Sequence, residues 1–171
     1  MFITETGAGL PNAESYASVA AADARCAALG ITNWAPRTEA SKEIALRNAT
    51  RFMLATYRQR WAGRRAHQTQ ALDWPRYGVC VDGFPVLTTI VPVEVCNACI
   101  DLAARAADGT ELLPDLEVGN NQIKRDKTGP IETEYFENST SAAARFVAID
   151  AALEPFFGAA GGAGMIKVVR A

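Results

Sequence analysis

Residues 39–60 carry a helical pattern strong enough to define the fold class. Thr38 suits the N-cap position, Glu39 and Glu43 favour the positive end of the helix, and Arg58 and Arg60 favour its negative end. Apolar and small side chains at spacings of three and four form one stripe: Ala45, Ala49, Phe52, Met53 and Thr56, with Ile44 and Tyr57 at its edges. The pattern predicts a long helix with one buried face.

Three further segments predict helices. One begins at Ser18, which can accept from free amides of the first turn, and ends at Gly30. Another follows Pro92 and runs to Gly109, and the last spans about residues 142–157. Alanine supplies 32 of 171 residues and aromatic residues only 8%, which favours closely approaching helices.

The segments between the helices predict less regular structure. Residues 1–14 read as an extended lead-in with a short strand at 2–4, and residues 61–92 as an irregular connection pinned by Trp61, Leu72 and Trp74. Alternating residues on both sides of Thr128-Gly-Pro130 predict a β-hairpin within about 118–136, with a basic first strand and an acidic second strand.

These elements predict a mainly α fold: a small bundle of about four helices with a β-hairpin insertion and an extended C-terminal arm. The predicted domain is 1–157, and 158–171 forms the arm. The arm consists of a Gly-rich hinge, 158–164, and a strand-like segment, 165–171.

Charge is unevenly distributed although the net charge is only -2. Residues 37–76 hold nine basic and three acidic residues, net +6, whereas residues 92–171 hold seven basic and twelve acidic ones, net -5. Such asymmetry indicates either a polyanion site or head-to-tail self-association.

The sequence carries no signature of catalysis, so we expect no enzyme, no catalytic residue, no metal site and no cofactor. His67, the single histidine, falls in a polar loop, and no serine or cysteine has a nucleophile-elbow context. Cys96 and Cys99 form a C-x-x-C without the paired spacing of zinc sites, and all four cysteines are expected as reduced core thiols. No apolar run reaches membrane-spanning length, and the opening residues lack an export signal, so a cytosolic protein without membrane contact is expected.

A basic ridge on the long helix and the following connection is the candidate binding surface. It comprises Arg47, Arg51, Arg58 and Arg64, with the further arginines Arg60, Arg65 and Arg76 and the aromatic residues Tyr57, Trp61 and Trp74 nearby. These residues fit two interpretations. Either they neutralise and stack single-stranded nucleic acid, or the aromatics pack the connection onto the helix while the arginines pair with acidic neighbours.

Several short motifs together are similar to one family. They are Tyr16-Ala-Ser-Val with Ala22-Asp, Lys42-Glu-x-Ala-Leu-x-x-Ala-Thr50, Tyr57 to Trp61-x-Gly-Arg64, Gln70-Ala-Leu-Asp-Trp-Pro-Arg76 followed by Gly78, and Lys124-Arg125 to Gly129-Pro-Ile131. The chain resembles the head-to-tail adaptor (connector) proteins of tailed bacteriophages, many of which carry the label DnaT-like single-stranded-DNA-binding protein. It departs from the family pattern at Ala21, which stands where the family has a capping glutamate.

The resemblance implies a structural protein of the virion neck, made in the host cytoplasm. Such proteins form a ring, usually of twelve copies, below the portal protein at the capsid vertex. The ring extends the channel for packaged DNA and is a platform for the stopper or tail protein. A small single-stranded-DNA-binding protein of replication is the alternative function.

Two segments would then contact partners. The arm residues Ile166, Lys167, Val168, Val169 and Arg170 are predicted to dock on the portal by strand addition. The hairpin residues Lys124, Arg125, Lys127, Glu132 and Glu134 are predicted to reach a neighbouring subunit.

Overall fold

The computed structural model describes residues 1–113, the backbone of residues 125–128 and 131–134, and residues 146–158. A helical body comprises residues 1–112 and the described residues from Phe146 onward, and a separate unit spans Leu113–Arg145. The body contains α1 (Val19–Ala28), α2 (Glu39–Tyr57), α3 (Val93–Ala107) and α4 (Val147–Leu153). The mainly α prediction with four helices is confirmed.

The first two helices begin where the sequence predicts. The Ser18 hydroxyl accepts from the backbone N–H of Ala21, and Thr38 accepts from that of Ser41. Helix α2 ends at Tyr57, three residues before the predicted end, because the chain turns there and the N–H groups of Arg60 and Trp61 both return to the Tyr57 carbonyl.

The predicted buried stripe of α2 is largely confirmed. Ala45, Ala49, Phe52 and Met53 are buried, and Ile44 at the edge is 57% exposed. Tyr57 was expected at the other edge but is fully buried, because the connection that follows folds back over it.

Helix α3 follows Pro92 as predicted, whereas the last helix is shorter than expected. The predicted start at 142 lies outside the described residues, and α4 occupies Val147–Leu153. A 3-10 turn, Glu154–Phe156, replaces its predicted last turn. Pro155 explains the change, because proline has no N–H to continue the α-helical hydrogen bonds.

The core lies between the helices and the long connection. Helix α2 packs against α3, which also contacts α1 and α4. Trp61, Leu72 and Trp74 are buried, so the predicted pinning of the connection is confirmed. The sequence did not predict its two short antiparallel pairs, β1 (Arg64–Arg65) with β2 (Arg76–Tyr77), and β3 (Cys80–Val81) with β4 (Phe84–Pro85).

A buried carboxylate organises the N-terminal lead-in. Glu5 is almost fully buried, and its oxygens accept from the backbone N–H groups of Gly7, Gly9 and Leu10 at 2.8–2.9 Å. The predicted short strand is reduced to one parallel bridge between Thr4 and Ser15. Hydrogen bonds to an ionised group are stronger than neutral ones, so one side chain holds a segment without regular secondary structure.

The predicted hairpin is present in the separate unit. Strand β5 (Arg125–Thr128) pairs antiparallel with β6 (Ile131–Glu134), and the register places Arg125 opposite Glu134 and Lys127 opposite Glu132. Opposite charges thus occupy facing positions of the ladder, as the basic and acidic strands predicted. The rest of 118–136, including Lys124, lies outside the described residues, as do the arm residues 159–171.

Candidate interaction surfaces

The basic ridge does not present four equivalent arginines. Arg47 bonds through Nε and Nη2 to the Glu14 carboxylate at 3.2 and 3.1 Å, and Nη2 also reaches Glu43 at 3.2 Å. Its guanidinium lies 5.0 Å from the centre of the Phe2 ring. The hydrogen bond from Arg47 lowers the pKa of Glu14 and raises the pKa of Arg47. Arg47 therefore ties the lead-in to α2.

Arg58 faces a buried carboxylate. Its Nε lies 4.0 Å from Oδ1 of Asp73, which is 1% exposed, and neither carboxylate oxygen accepts a hydrogen bond within the described residues. Burial raises the pKa of Asp73, and the positive charges of Arg58, Arg76 and Arg65 oppose that rise. The arginines around this carboxylate offset only part of the cost of burying its charge, since the pKa of Asp73 stays above its usual value.

Arg76 adds rigidity beside this carboxylate. Its guanidinium is buried and donates to the carbonyls of Ala62 at 2.7 Å, Gly63 at 2.8 Å and Asp73 at 3.2 Å. Burial lowers the pKa of Arg76, and the Asp73 charge opposes that shift. Gly63, at φ +64°, lies so close to the Tyr77 carbonyl that no Cβ would fit. The sequence motif containing Trp74 and Arg76 is therefore part of the core.

Arg51 and Arg64 are the two exposed members of the ridge without a carboxylate partner in the described residues, whereas Arg58, also exposed, lies near Asp73. The Arg51 side chain makes no ion pair or hydrogen bond within the described part of the chain. Arg64 places its guanidinium carbon 5.1 Å from the centre of the exposed Tyr77 ring, directly across the β1–β2 pair. Within the described residues, no carboxylate pairs with either of these two arginines.

Arg60, which the sequence placed beside the basic ridge, joins the basic segment to the end of the body. It pairs with Asp150 at 3.4 Å and Glu154 at 3.7 Å, and its guanidinium carbon lies 4.0 Å from the centre of the Phe157 ring. Part of the charge asymmetry is thus neutralised within one chain. In the sequence, the four-residue spacing of Asp150 and Glu154 indicates that the two carboxylates share one face. It does not identify Arg60 as their partner, because Arg60 is far away in the chain.

The aromatic residues of the basic segment form an internal cluster. Trp61 packs edge-on against Trp74 at 5.7 Å and against Tyr57 at 5.9 Å between ring centres, and Trp74 meets Phe156 at 5.7 Å. Tyr57, Trp61 and Trp74 are at most 5% exposed. Of the two interpretations, the packing one is confirmed for these three rings, and they offer no stacking surface to a nucleic acid base.

An exposed apolar segment follows the cluster, at residues 77–93. Five large side chains in it are between 40% and 75% exposed: Tyr77, Phe84, Leu87, Ile90 and Val93. Buried Val79 anchors the segment in the body, and its carbonyl accepts a hydrogen bond from the N–H of Val86 at 2.9 Å. Gly7 lies against the backbone of Thr89 and Ile90 with no room for a Cβ. So many exposed apolar residues in one anchored segment are typical of an interaction site.

Among the concave sites of the body, two bear on its interactions. The larger, which we name the α1–α3–α4 groove, has a volume of about 520 Å³. Its walls come from the end of α1 and the loop after it, one face of α3, and α4. The smaller site, about 230 Å³, is the basic pocket, lined by Arg64, Arg65, Ala66, His67, Tyr77, Thr88 and Thr89.

The cysteines and the histidine show no shared chemistry. Cys26 and Cys99 are buried thiols as predicted, and Cys96 is half-buried, but Cys80 is exposed because β3 lies at the surface. Burial raises the pKa of the Cys96 thiol to about 11 and also raises the pKa of Cys99. His67 is exposed, as expected for a loop residue.

The described residues contain neither a cluster of metal-ligating side chains nor a helix that is both long and apolar enough to span a membrane. No three His, Cys, Asp or Glu side chains in these parts of the chain lie together as a metal site requires. No described helix combines the length and the hydropathy needed to cross a membrane.

Comparison with known proteins places the chain in a family. No curated protein and no solved structure matches it significantly. A family model described as "Putative DnaT-like ssDNA binding protein" matches residues 1–171, the whole length. The chain therefore belongs to this DnaT-like family.

Proposed function

We propose that this protein is a structural component of a tailed-phage virion, a head-to-tail adaptor that forms a ring below the portal. The ring would extend the DNA channel and hold the stopper or tail protein. The exposed apolar segment 77–93 carries this proposal, because a well-packed body that keeps five large apolar side chains in solvent is suited to permanent contact with other protein chains. The proposal assigns no catalytic residue and no cofactor.

The basic segment supports a structural role over tight DNA binding. Arg47, Arg58 and Arg60 each pair with a carboxylate, and Arg76 is buried against backbone carbonyls. Packaged DNA must slide through a channel, which requires weak contact independent of sequence. A surface on which several cations are paired within the chain satisfies that requirement better than a continuous basic stripe.

The arm and the hairpin keep their proposed roles. Residues 166–170 would anchor the adaptor on the portal, and the hairpin, including Lys124 and Lys127, would reach the next subunit. Gly158 is the last described residue of the body, and its N–H donates to the Arg60 carbonyl at 2.8 Å. A chain truncated after Gly158 therefore keeps every contact described for the body, and we expect it to fold but not to join filled heads. Normal assembly of that truncation would contradict the role of the arm.

One observation favours the second candidate, single-stranded DNA binding. The basic pocket combines Arg64, Arg65 and His67 with the exposed Tyr77 ring and has no acidic residue in its lining. Cations beside an accessible aromatic ring suit a phosphate and a stacked base. The family description names single-stranded DNA as the ligand.

Two measurements separate the candidates. Negative-stain electron microscopy of the purified protein, alone and with the portal protein of the same genome, should show rings for the adaptor. Filter binding with a labelled single-stranded oligonucleotide should show salt-dependent capture, lost in Arg64→Ala and Tyr77→Ala but kept in Arg51→Ala, for the DNA-binding protein. Rings without such capture support the adaptor, and capture without rings refutes it.

A further inference from the structure

The exposed apolar segment contains a protruding hairpin. Strands β3 and β4 pair Val81 with Phe84 around a turn in which Asp82 and Gly83 both adopt positive φ, 52° and 85°. Phe84 is 75% exposed although the backbone on both sides of it is hydrogen-bonded. A large ring held outward on a fixed turn loses little conformational freedom when it is buried by a partner. We name residues 80–87 the Phe84 hairpin.

The α1–α3–α4 groove is a site of suitable size and lining for such a hairpin. Its volume of about 520 Å³ falls within the range of roughly 300–1,000 Å³ typical of sites that enclose a ligand. Leu29, Ile31, Ala148 and Ile149 supply apolar walls. Leu29 is itself one of the large exposed apolar residues of the body, so the groove has an apolar wall that the described residues leave open, beside polar and charged lining from α1 and α3.

The charges around the two surfaces are weakly complementary. In the groove, Asp101 is neutralised by a bidentate pair with Arg25 at 2.8–2.9 Å, and exposed Glu94 and Asp108 outnumber exposed Arg105, so the lining has a net charge of -1. On the other surface, Arg64 and Arg65, whose strand pairs with Tyr77 just before the hairpin, have no carboxylate at ion-pair distance in the described residues and outnumber Asp82 in the turn, net +1. Opposed charges of this kind orient two chains as they meet.

We propose that the Phe84 hairpin of one copy inserts into the α1–α3–α4 groove of the next copy. This inference rests on the ring assembly of the proposed function and names the surfaces that build it. The hairpin and the groove share no residue, so an open oligomer keeps one free hairpin at one end and one free groove at the other until the ring closes. Repeated contact between two different surfaces yields a ring when the rotation permits closure.

Cross-linking tests this contact with a thiol the chain already carries. Cys80 on β3 is exposed, and Ala148 lines the groove with an exposed side chain. In Ala148→Cys under ring-forming conditions, with or without the portal, a short bismaleimide should join neighbouring copies into a ladder of dimers and higher oligomers. The ladder should vanish when Cys80→Ser is added. Ile44→Cys, on the exposed face of α2, is the matched control and should give no ladder.

A surface substitution supplies the second measurement. Phe84→Asp should reduce the number of rings by about tenfold or more, the effect expected when a central apolar anchor becomes charged. Ile44→Asp replaces an exposed apolar residue elsewhere and should leave ring number unchanged. Circular dichroism of both variants should match the original chain, because both positions are largely exposed.

The outcomes separate this inference from the function it rests on. Rings with a Cys80-dependent ladder and loss of rings in Phe84→Asp support it. Rings that persist in Phe84→Asp, or a Cys80 cross-link found only within single chains, overturn the inference and leave the adaptor function standing. Absence of rings from the original chain, both alone and with the portal, refutes the adaptor function and the inference together.

Discussion

Replacing Trp74 tests whether the aromatic residues of the basic segment stabilise the body or serve as a binding surface. Trp74 is fully buried and meets Trp61 and Phe156 edge-on, each at 5.7 Å between ring centres. Truncating a buried tryptophan to alanine costs about 3–5 kcal/mol, since the transfer energy of the ring is lost and a cavity remains. That is a large share of the roughly 5–15 kcal/mol that stabilises a typical protein.

A milder variant guards against simple failure to fold. Trp74→Phe keeps an aromatic ring in the cluster, and the indole N–H that it removes has no hydrogen-bond partner in the described body. Its cost should therefore lie near 1–2 kcal/mol, between a volume-conserving change and a full truncation. Tyr77→Ala, at an exposed ring close in sequence, should change stability by no more than about 0.5 kcal/mol.

Urea denaturation followed by far-ultraviolet circular dichroism measures these differences without relying on tryptophan fluorescence. We expect the order of destabilisation to be Trp74→Ala, then Trp74→Phe, then Tyr77→Ala. If Trp74→Ala lay within about 1 kcal/mol of the original chain, the buried-cluster argument would be refuted. The preference for a structural role over base stacking would then lose its main support.

Three further predictions concern charge and thiol chemistry. Arg60→Ala should leave the helices formed but raise the rate of amide hydrogen exchange across 147–157, because the ion pairs to Asp150 and Glu154 are lost. Unchanged exchange would contradict the role of Arg60 in holding this segment. The pKa of Asp73 in the folded state lies above its ordinary value of 3.8, so protonation of Asp73 favours folding. The original chain should therefore lose stability relative to Asp73→Asn as the pH rises through that raised pKa. If urea titrations gave parallel pH profiles for the two proteins, this prediction would be refuted. A thiol reagent should modify Cys80 rapidly in the native protein and the other three cysteines only slowly, and rapid modification of two or more thiols would show that the described burial is wrong.

The helical elements could be predicted because their signals are local. Ser18 and Thr38 cap their helices through side-chain hydrogen bonds three residues away, and the stripe on α2 faces the core as its spacing predicts. The register of the β5–β6 hairpin, which places Lys127 opposite Glu132, also follows from adjacent residues. The shortened end of α4 was readable in principle, because Pro155 stands within the predicted helix.

The candidate surfaces were less predictable, because they depend on contacts between distant segments. Helical spacing correctly placed Arg47 and Arg58 away from the buried stripe, but it could not show that Glu14 and Asp73 approach them from 33 and 15 positions away. An arginine with a carboxylate partner and one without look the same in a one-dimensional charge count. Arg47 and Arg58 of the ridge therefore belong to separate ion pairs. Within the described residues, only Arg51 and Arg64 of the ridge are exposed and have no carboxylate partner.

The sequence by itself determined the mainly α architecture and the caps of α1 and α2, because propensity, capping and apolar periodicity act over a few residues. Only the tertiary structure decided which charges are neutralised and which apolar residues stay in solvent, because both depend on what packs against a residue from elsewhere in the chain. Phe84 and Phe52 are the same residue type, and only the fold leaves the first outward on a hairpin and encloses the second between helices.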